Sequence, residues 1–176
     1  MPTVNETGRE QTSERWKGGI EMSTLNLEQA RRIIAGAEEK ATSIGCPQNI
    51  AVVDAGGNLI AHARLDGARI GATDIAINKA WTARAFDMET AELSRYSQPG
   101  GPFYGIHASN HGRVIIFTGG IPIRQNGEIV GAIGVSGGSE EQDTDCAQSG
   151  VEAFTEQITE VGNDRQEIGS VSQTTR

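Results

Sequence analysis

Two histidines stand four residues apart within residues 104–111. If this segment were helical, His107 and His111 would lie on one face, and paired imidazoles at that spacing suit a transition-metal ion. The surrounding run is rich in glycine and proline, however, which is typical of a loop. Two interpretations therefore stay open: catalytic or ligand contacts, and surface histidines that only form hydrogen bonds.

Lys79 lies in a stretch of alanine and isoleucine whose spacing predicts a helix over residues 70–88. An ammonium group surrounded by apolar surface has a lowered pKa and could act as an acid, a base or an anion clamp. Asp54 or Asp66 could then share the acid–base work. The alternative is a structural lysine paired with Asp54, Asp66 or Asp74 at the edge of the sheet.

Arg64 and Asp66 follow the second predicted strand. The planar guanidinium of Arg64 could bind the carboxylate of a substrate. Equally, the two side chains could form an ion pair that orders the turn between them. Both roles are compatible with the sequence.

Two glycine pairs could present backbone N–H groups to a ligand: Gly119-Gly120 and Gly137-Gly138. The second pair runs into Ser139 and a predicted helix, whose first N–H groups and dipole favour an anion. The structural alternative is a pair of tight turns, with Ser139 as the helix cap. No dinucleotide-binding pattern of glycines accompanies either pair.

Charge and composition exclude several classes of function. The chain has 176 residues and a net charge of -8, which argues against nucleic acid and against an anionic membrane surface. No apolar run approaches the roughly 20 residues of a membrane span. Cys46 and Cys146 are the only two cysteines, so we expect no disulfide framework and a cytoplasmic location.

The remaining elements predict an α+β fold on an antiparallel sheet. Thr24 or Asn26 caps a first helix, two strands follow residue 49, and three more strands occupy residues 114–135, which gives five strands. Asn126-Gly127 is a strong signal for a hairpin turn. Two glycines within the last strand, Gly131 and Gly134, leave a bare surface where another backbone or a ligand can approach.

The ends of the chain differ in composition from its centre. Residues 1–22 and 162–176 are polar and lack periodicity, which predicts a disordered extension and a disordered tail around a folded unit at 23–161. Met22 directly precedes the first helix, so translation could start at Met1 or at Met22.

Six short motifs follow one another along the folded unit: VDAGGNL at 53–59, RLDGA at 64–68, KAWTA at 79–83, GGIPI at 119–123, GEIVGAIGVSGG at 127–138, and Gln142-Asp143. With these motifs the chain resembles the GlcG/HbpS-like family, whose domain is called haem-degrading and also ends PduO-type proteins. The resemblance implies a profilin- or PAS-like single domain that forms homo-oligomers. It also implies that haem is a candidate cofactor, because some members bind haem while others are linked to glycolate or diol metabolism.

Two departures from the family pattern concern the site. Thr118 replaces the usual small residue before Gly119-Gly120 and adds a hydroxyl group there. The histidines are His62, His107 and His111, and none lies near the first helix, from which haem-binding relatives draw an iron ligand.

Together these features predict a cytoplasmic, homo-oligomeric protein that binds a small anionic or aromatic ligand. The pocket would lie between the helix at 70–88, the loop at 99–111 and the Gly119-Gly120 turn. The alternatives are an enzyme without a redox nucleotide and a haem or iron carrier. The candidate catalytic residues are Lys79, Asp66, His107 and His111, and the candidate ligand-binding residues are Arg64, Tyr104, Thr118, Gly119, Gly120, Pro122, Gly137 and Gly138.

Overall fold

The computed structural model describes residues 24–171, with side chains described as far as residue 156. The predicted extension at 1–22 and the last part of the predicted tail, residues 172–176, lie outside the described residues. In chain order the elements are α1 (Leu27–Ser43), β1 (Asn49–Asp54), β2 (Leu59–Arg64), α2 (Ala72–Ala85), α3 (Thr90–Tyr96), two short 3₁₀ turns (Ile106–Ala108 and Asn110–Gly112), β3 (Gly120–Gln125), β4 (Glu128–Ser136) and α4 (Glu140–Val171).

One antiparallel sheet with the strand order β2-β1-β4-β3 forms the centre of the fold. Helices α1 and α4 cover one face, where large aliphatic side chains of the sheet and helices share a core with Phe154. Helix α2 covers the other face, where the buried residues are almost all alanine, so the helix packs close to the strands. The predicted α+β class, an antiparallel sheet flanked by helices, is confirmed.

The prediction of five strands is wrong by one strand. Residues 114–119, which were expected to begin with a strand, are irregular. The backbone N–H of Ile115 donates to Thr82 Oγ1 on α2 at 3.0 Å. Because that N–H group bonds to a helix side chain and not to a neighbouring strand, the segment does not join the sheet.

Local sequence signals at the ends of elements are confirmed. Asn26 caps α1 in a reciprocal capping box with Gln29. Asn126 and Gly127 both adopt positive φ, 53° and 84°, as the turn between β3 and β4 requires. Ser139 caps α4, as predicted, because its Oγ accepts a hydrogen bond from the N–H of the residue at the third helical position.

Helix α4 is the longest element, with 32 residues. It continues to Val171, past the domain end predicted at 161, and the domain limits themselves stay a prediction. Among the helices of the described part, α4 included, none combines the length and apolar character needed to cross a membrane.

Candidate functional site

Lys79 takes part in a buried ion pair that joins three elements. Its side chain on α2 is 2% exposed, and its Nζ donates to Asp143 Oδ2 at 2.6 Å and to the Val135 carbonyl at 2.8 Å. The other oxygen of Asp143 accepts the N–H of Gly138 at 2.8 Å. Burial lowers the pKa of Lys79, and the charge and hydrogen bond of Asp143 oppose this shift. The pair therefore fixes α2 against the end of β4 and the first turn of α4.

The partner of Lys79 is none of the three aspartates considered from the sequence. Asp54 instead caps the β1–β2 turn, where its Oδ1 accepts the N–H groups of Gly56 and Asn58, both at 2.8 Å. Burial tends to raise the pKa of Asp54, but the hydrogen bonds from Asn58 and Gly56 outweigh it and lower the pKa. Asp66 is exposed and forms no ion pair with Arg64 in the described structure.

The Gly119-Gly120 pair packs against the Lys79 pair instead of facing an open site. Gly119 has φ of 94°, and a Cβ atom there would lie 2.7 Å from the Val135 carbonyl oxygen and 3.3 Å from Lys79 Nζ. The N–H of Gly120 already donates to Thr90 Oγ1 at 2.9 Å. These glycines therefore permit close packing, and the Gly120 amide is not free to hold an anion.

Thr118 and Pro122 flank the Gly119-Gly120 pair and also belong to the predicted ligand-binding set. Both have structural roles in the described fold. Thr118 Oγ1 donates to the carbonyl of Glu140 at 2.9 Å, which ties the turn to the start of α4. Pro122 lies on the edge strand β3, opposite Ala132 of β4. Neither residue lines the cleft described below.

Gly137 and Gly138 line an open cleft of about 510 Å³ at the start of α4. Its walls come from the loop after α1, the loop before α2 and the first turn of α4. The lining residues are Gly45, Cys46, Pro47, Gly67, Arg69, Gly137, Gly138, Ser139 and Gln142. Two of the predicted ligand-binding residues are therefore brought together with Arg69, a cation that was not among the candidates predicted from the sequence.

Cys46 is held between two glutamines in this cleft. Its Sγ accepts from Gln48 Nε2 at 3.4 Å and donates to Gln142 Oε1 at 3.5 Å. Burial and the charge of Asp143 raise the pKa of Cys46, which keeps it a neutral thiol at neutral pH. Gln142 Oε1 also accepts the N–H of Ser139 at 3.0 Å, as in a capping box. That pattern, serine followed three residues later by glutamine, is a sequence signal for this wall in addition to the Gly137-Gly138 pair.

The other predicted site residues are exposed and separate. Tyr104 is 66% exposed, and Arg64, His107 and His111 are exposed as well. The two histidines lie on different 3₁₀ turns, and His111 has φ of 59°, so they do not share a helical face. Among the described residues, no group of three or more His, Cys, Asp or Glu side chains is placed to hold a metal ion.

His62 on β2 is a histidine whose ring is partly enclosed. Its Nε2 is buried without a hydrogen-bond partner in the described structure. Burial, and after it the charge of Arg64, lower the pKa of His62 below its ordinary 6.5. As the pH falls below that value, the unfolded chain takes up the proton more readily than the folded chain, so folding stability decreases.

We therefore expect His62→Gln to lose less stability than the wild-type chain between about pH 7.5 and about pH 5 in urea denaturation. All other titrating groups are common to the two proteins, so the comparison isolates His62. Equal losses in both proteins would contradict a lowered pKa for this imidazole.

A single antiparallel sheet between helices, with a polar cleft beside the start of the last helix, defines an α+β domain with a candidate site for a small molecule. The family model described as Haem degrading protein HbpS-like matches residues 25–152. The chain belongs to this family, as the sequence motifs predicted.

Relatives of known sequence and structure support the assignment. An uncharacterized 15.0 kDa protein in the dhaT-dhaS intergenic region of Citrobacter freundii is 39% identical over 136 residues, which cover 77% of this chain and 96% of that protein. The structure of Klebsiella pneumoniae ORFY superimposes with a TM-score of 0.75 at 36% identity, covering 88% of this chain and 98% of that one. A PduOC:Heme complex matches with a TM-score of 0.72 at 35% identity, covering 74% of this chain and 94% of that one.

Haem iron does not fit the donor set of the cleft. Imidazole, thiolate, thioether and phenolate groups are the usual protein ligands of haem iron. Among the lining residues only Cys46 has such a side chain, and its raised pKa keeps it protonated. Iron ligation from the cleft residues is therefore not supported, although the polar walls could still bind the carboxylate groups of a ligand.

Proposed function

We propose that this protein binds a small molecule through a carboxylate group in the cleft at the start of α4. The observation that carries the proposal is the position of Arg69, whose positive charge lines the cleft of about 510 Å³. In the described structure no carboxylate lies within ion-pair distance of its side chain. A guanidinium group without a partner in a polar cleft is suited to a planar carboxylate, which it can bind through two parallel hydrogen bonds.

The backbone around Arg69 is held in place, which favours binding without large rearrangement. The carbonyl of Arg69 accepts from Asn49 Nδ2 at 3.1 Å, and the Oδ1 of that asparagine accepts from Thr73 Oγ1 at 2.9 Å. Asn49 is fully buried at the start of β1. The loop that carries Arg69 is therefore anchored to the sheet, and less ordering entropy is lost when a ligand binds.

The Lys79–Asp143 pair holds one wall of the cleft in place. Asp143 holds the N–H of Gly138, a lining residue, while its charge is balanced by Lys79. In this proposal Lys79 positions the cleft wall and does not touch the ligand. Acid–base catalysis by Lys79 stays a prediction, and it would require the ammonium group to leave both of its buried partners.

Two sources of the carboxylate are compatible with this chemistry: a small organic acid and the propionates of haem. Haem is included because of the similarity to the PduOC:Heme complex, and here it would bind by its propionates and not through its iron. The two sources are distinguished by titrating the purified protein separately with haemin and with glycolate. Haemin binding shifts and sharpens the Soret band of free haemin, whereas glycolate binding raises the melting temperature without visible absorbance. A protein that responds to neither compound would contradict the proposal.

For whichever compound binds, we expect Arg69→Gln to weaken binding about tenfold or more, because a charged hydrogen-bond partner is lost. Arg31→Gln is the matched control, since Arg31 is an exposed arginine on α1 away from the cleft. The readout is the dissociation constant from the Soret or melting-temperature titration. Equal affinity in the two variants would remove Arg69 from the site.

Self-association is also part of the proposal. The described surface carries large aromatic side chains, among them Tyr96, Phe103, Tyr104 and Phe117, which are 42–66% exposed. Aromatic side chains are enriched at protein–protein interfaces relative to the rest of the protein surface. Native mass spectrometry of the haemin-treated and untreated protein measures the assembly and any retained ligand in one experiment.

A further inference from the structure

Arg113 packs against α2 and is held there by three separate contacts. Its guanidinium lies 4.3 Å from the centre of the Trp81 ring, and its Nε donates to Asn78 Oδ1 at 3.2 Å. Its backbone is placed by Thr82, whose Oγ1 lies 3.5 Å from the Arg113 carbonyl and accepts the N–H of Ile115 at 3.0 Å. The plane and the direction of the guanidinium are therefore fixed before any ligand arrives.

What Arg113 lacks is a counter-charge. In the described part of the chain, no carboxylate lies within ion-pair distance of it, and its two Nη groups donate to no described residue. Arg32 and Arg84, by contrast, pair with Glu28 and Asp87. Arg113 is partly buried, and burial lowers its pKa. Partial removal of a cation from water without an anion is unfavourable, and the stacking on Trp81 and the hydrogen bond to Asn78 oppose that cost.

The stacked arginine is also separate from the cleft at the start of α4. Trp81 packs against the β1–β2 turn, where a Cβ atom on Gly57 would lie 3.1 Å from the Trp81 Cδ1. This turn follows the last residue of β1, whereas the cleft lies at the opposite end of that strand: its wall at residues 45–47 precedes Asn49, and its wall at Gly137 follows Ser136, the β4 partner of Asn49. The two features are at opposite ends of one strand, and neither shares a residue with the other.

We propose that Arg113, Trp81 and Asn78 form a second binding site, which takes a carboxylate group. Asn78 and Trp81 occupy the Nε and one face of the guanidinium and leave the two Nη groups for a ligand. Two in-plane donors match the two oxygens of a carboxylate, and the indole provides a flat apolar surface beside it. The ligand is a planar organic acid that adds the charge Arg113 lacks.

The test uses the full chain with Trp16→Phe, so that Trp81 is the sole tryptophan of the protein. Benzoate is titrated while Trp81 fluorescence is recorded, and neutral benzamide is titrated in parallel. We expect a saturable change with benzoate that is absent with benzamide. A response that does not saturate, or that is the same for both compounds, would overturn the proposal.

Variants of Arg113 complete the test. Arg113→Gln should weaken benzoate binding about tenfold or more, because both charged donors are lost. Arg113→Lys keeps the charge without the planar fork, so it should bind with intermediate affinity, and it serves if the glutamine variant does not fold. Arg95→Gln, at an exposed arginine of α3, is the matched control. Unchanged affinity in folded Arg113 variants would leave the stacking on Trp81 with a purely structural role.

Discussion

Lys79→Met should lower the free energy of unfolding by about 3–5 kcal/mol, the range measured when one partner of a buried ion pair is removed. The substitution leaves the Asp143 carboxylate 5% exposed and without its cation. It also leaves the Val135 carbonyl without the ammonium donor. Urea denaturation of the wild type and the variant measures the difference, and an unchanged m-value shows that the two-state analysis holds.

Two further variants identify the cause of that loss. Asp143→Asn in the Lys79→Met background removes the unpaired charge while retaining an acceptor for the N–H of Gly138, so the double variant should be more stable than Lys79→Met alone. Lys40→Met is the matched control, since Lys40 forms a partly exposed pair with Asp145 at 3.4 Å. An exposed pair of this kind contributes at most about 1 kcal/mol.

The same variants separate the structural and catalytic interpretations of Lys79. If Lys79→Met keeps wild-type stability, the ion pair is not what fixes α2 to α4, and the lysine becomes available for acid–base chemistry. If stability falls and Asp143→Asn restores part of it, the lysine is a positioning residue. Ligand affinity should then fall in Lys79→Met and recover in the double variant, because the Gly138 wall of the cleft depends on Asp143.

The fold could be predicted from the sequence because its strongest signals are local. The capping box at Asn26 involves residues three apart, and the turn at Asn126-Gly127 involves two neighbours with positive φ. Each signal is complete within one turn of backbone. The prediction was wrong at residues 114–119, where an apolar run has strand composition but its backbone bonds to Thr82 on a helix. Composition alone does not contain that partner.

The site could be predicted only in part, because its contacts join distant segments. Lys79 and Asp143 are 64 residues apart, and Cys46 and Gln142 are 96 apart. A lysine in an apolar helix predicts a buried charge, but three nearer aspartates were equally acceptable partners until the topology placed the first turn of α4 at the end of β4, within reach of Lys79 on α2. Arg69 lies in a loop without a motif of its own. Its relevance comes from the space in front of it, which no sequence pattern describes.

Gly134→Ala should destabilise the protein by about 3 kcal/mol or more, at the upper end of what overpacking costs. Gly134 lies on β4 opposite Ala51, on the face covered by α2. A Cβ atom there would meet the carbonyl oxygen of Ala76 and the N–H of Ala80 inside their contact distances. These are backbone atoms of a helix, so no side-chain rotation can relieve the overlap.

Gly71→Ala is the control for the effect of alanine itself. Gly71 precedes α2 with φ of -66°, and nothing lies within 4 Å of the Cβ position. Alanine there should be neutral or stabilise by up to about 1 kcal/mol, because it restricts the unfolded chain. Both variants are compared with the wild type by urea denaturation. Equal stability of the two alanine variants would mean that α2 is free to move away from the sheet.

The position of α2 links this packing to the cleft. Lys79 lies between Ala76 and Ala80, the two residues that contact Gly134, so an outward shift of the helix also moves the ammonium group away from Asp143. Gly134→Ala should therefore weaken ligand binding at Arg69 although the two residues do not touch. In contrast, Gly71→Ala should leave the affinity unchanged. In this proposal, the close packing of α2 against Gly134 on one face of the sheet also sets the geometry of the cleft wall at the end of β4.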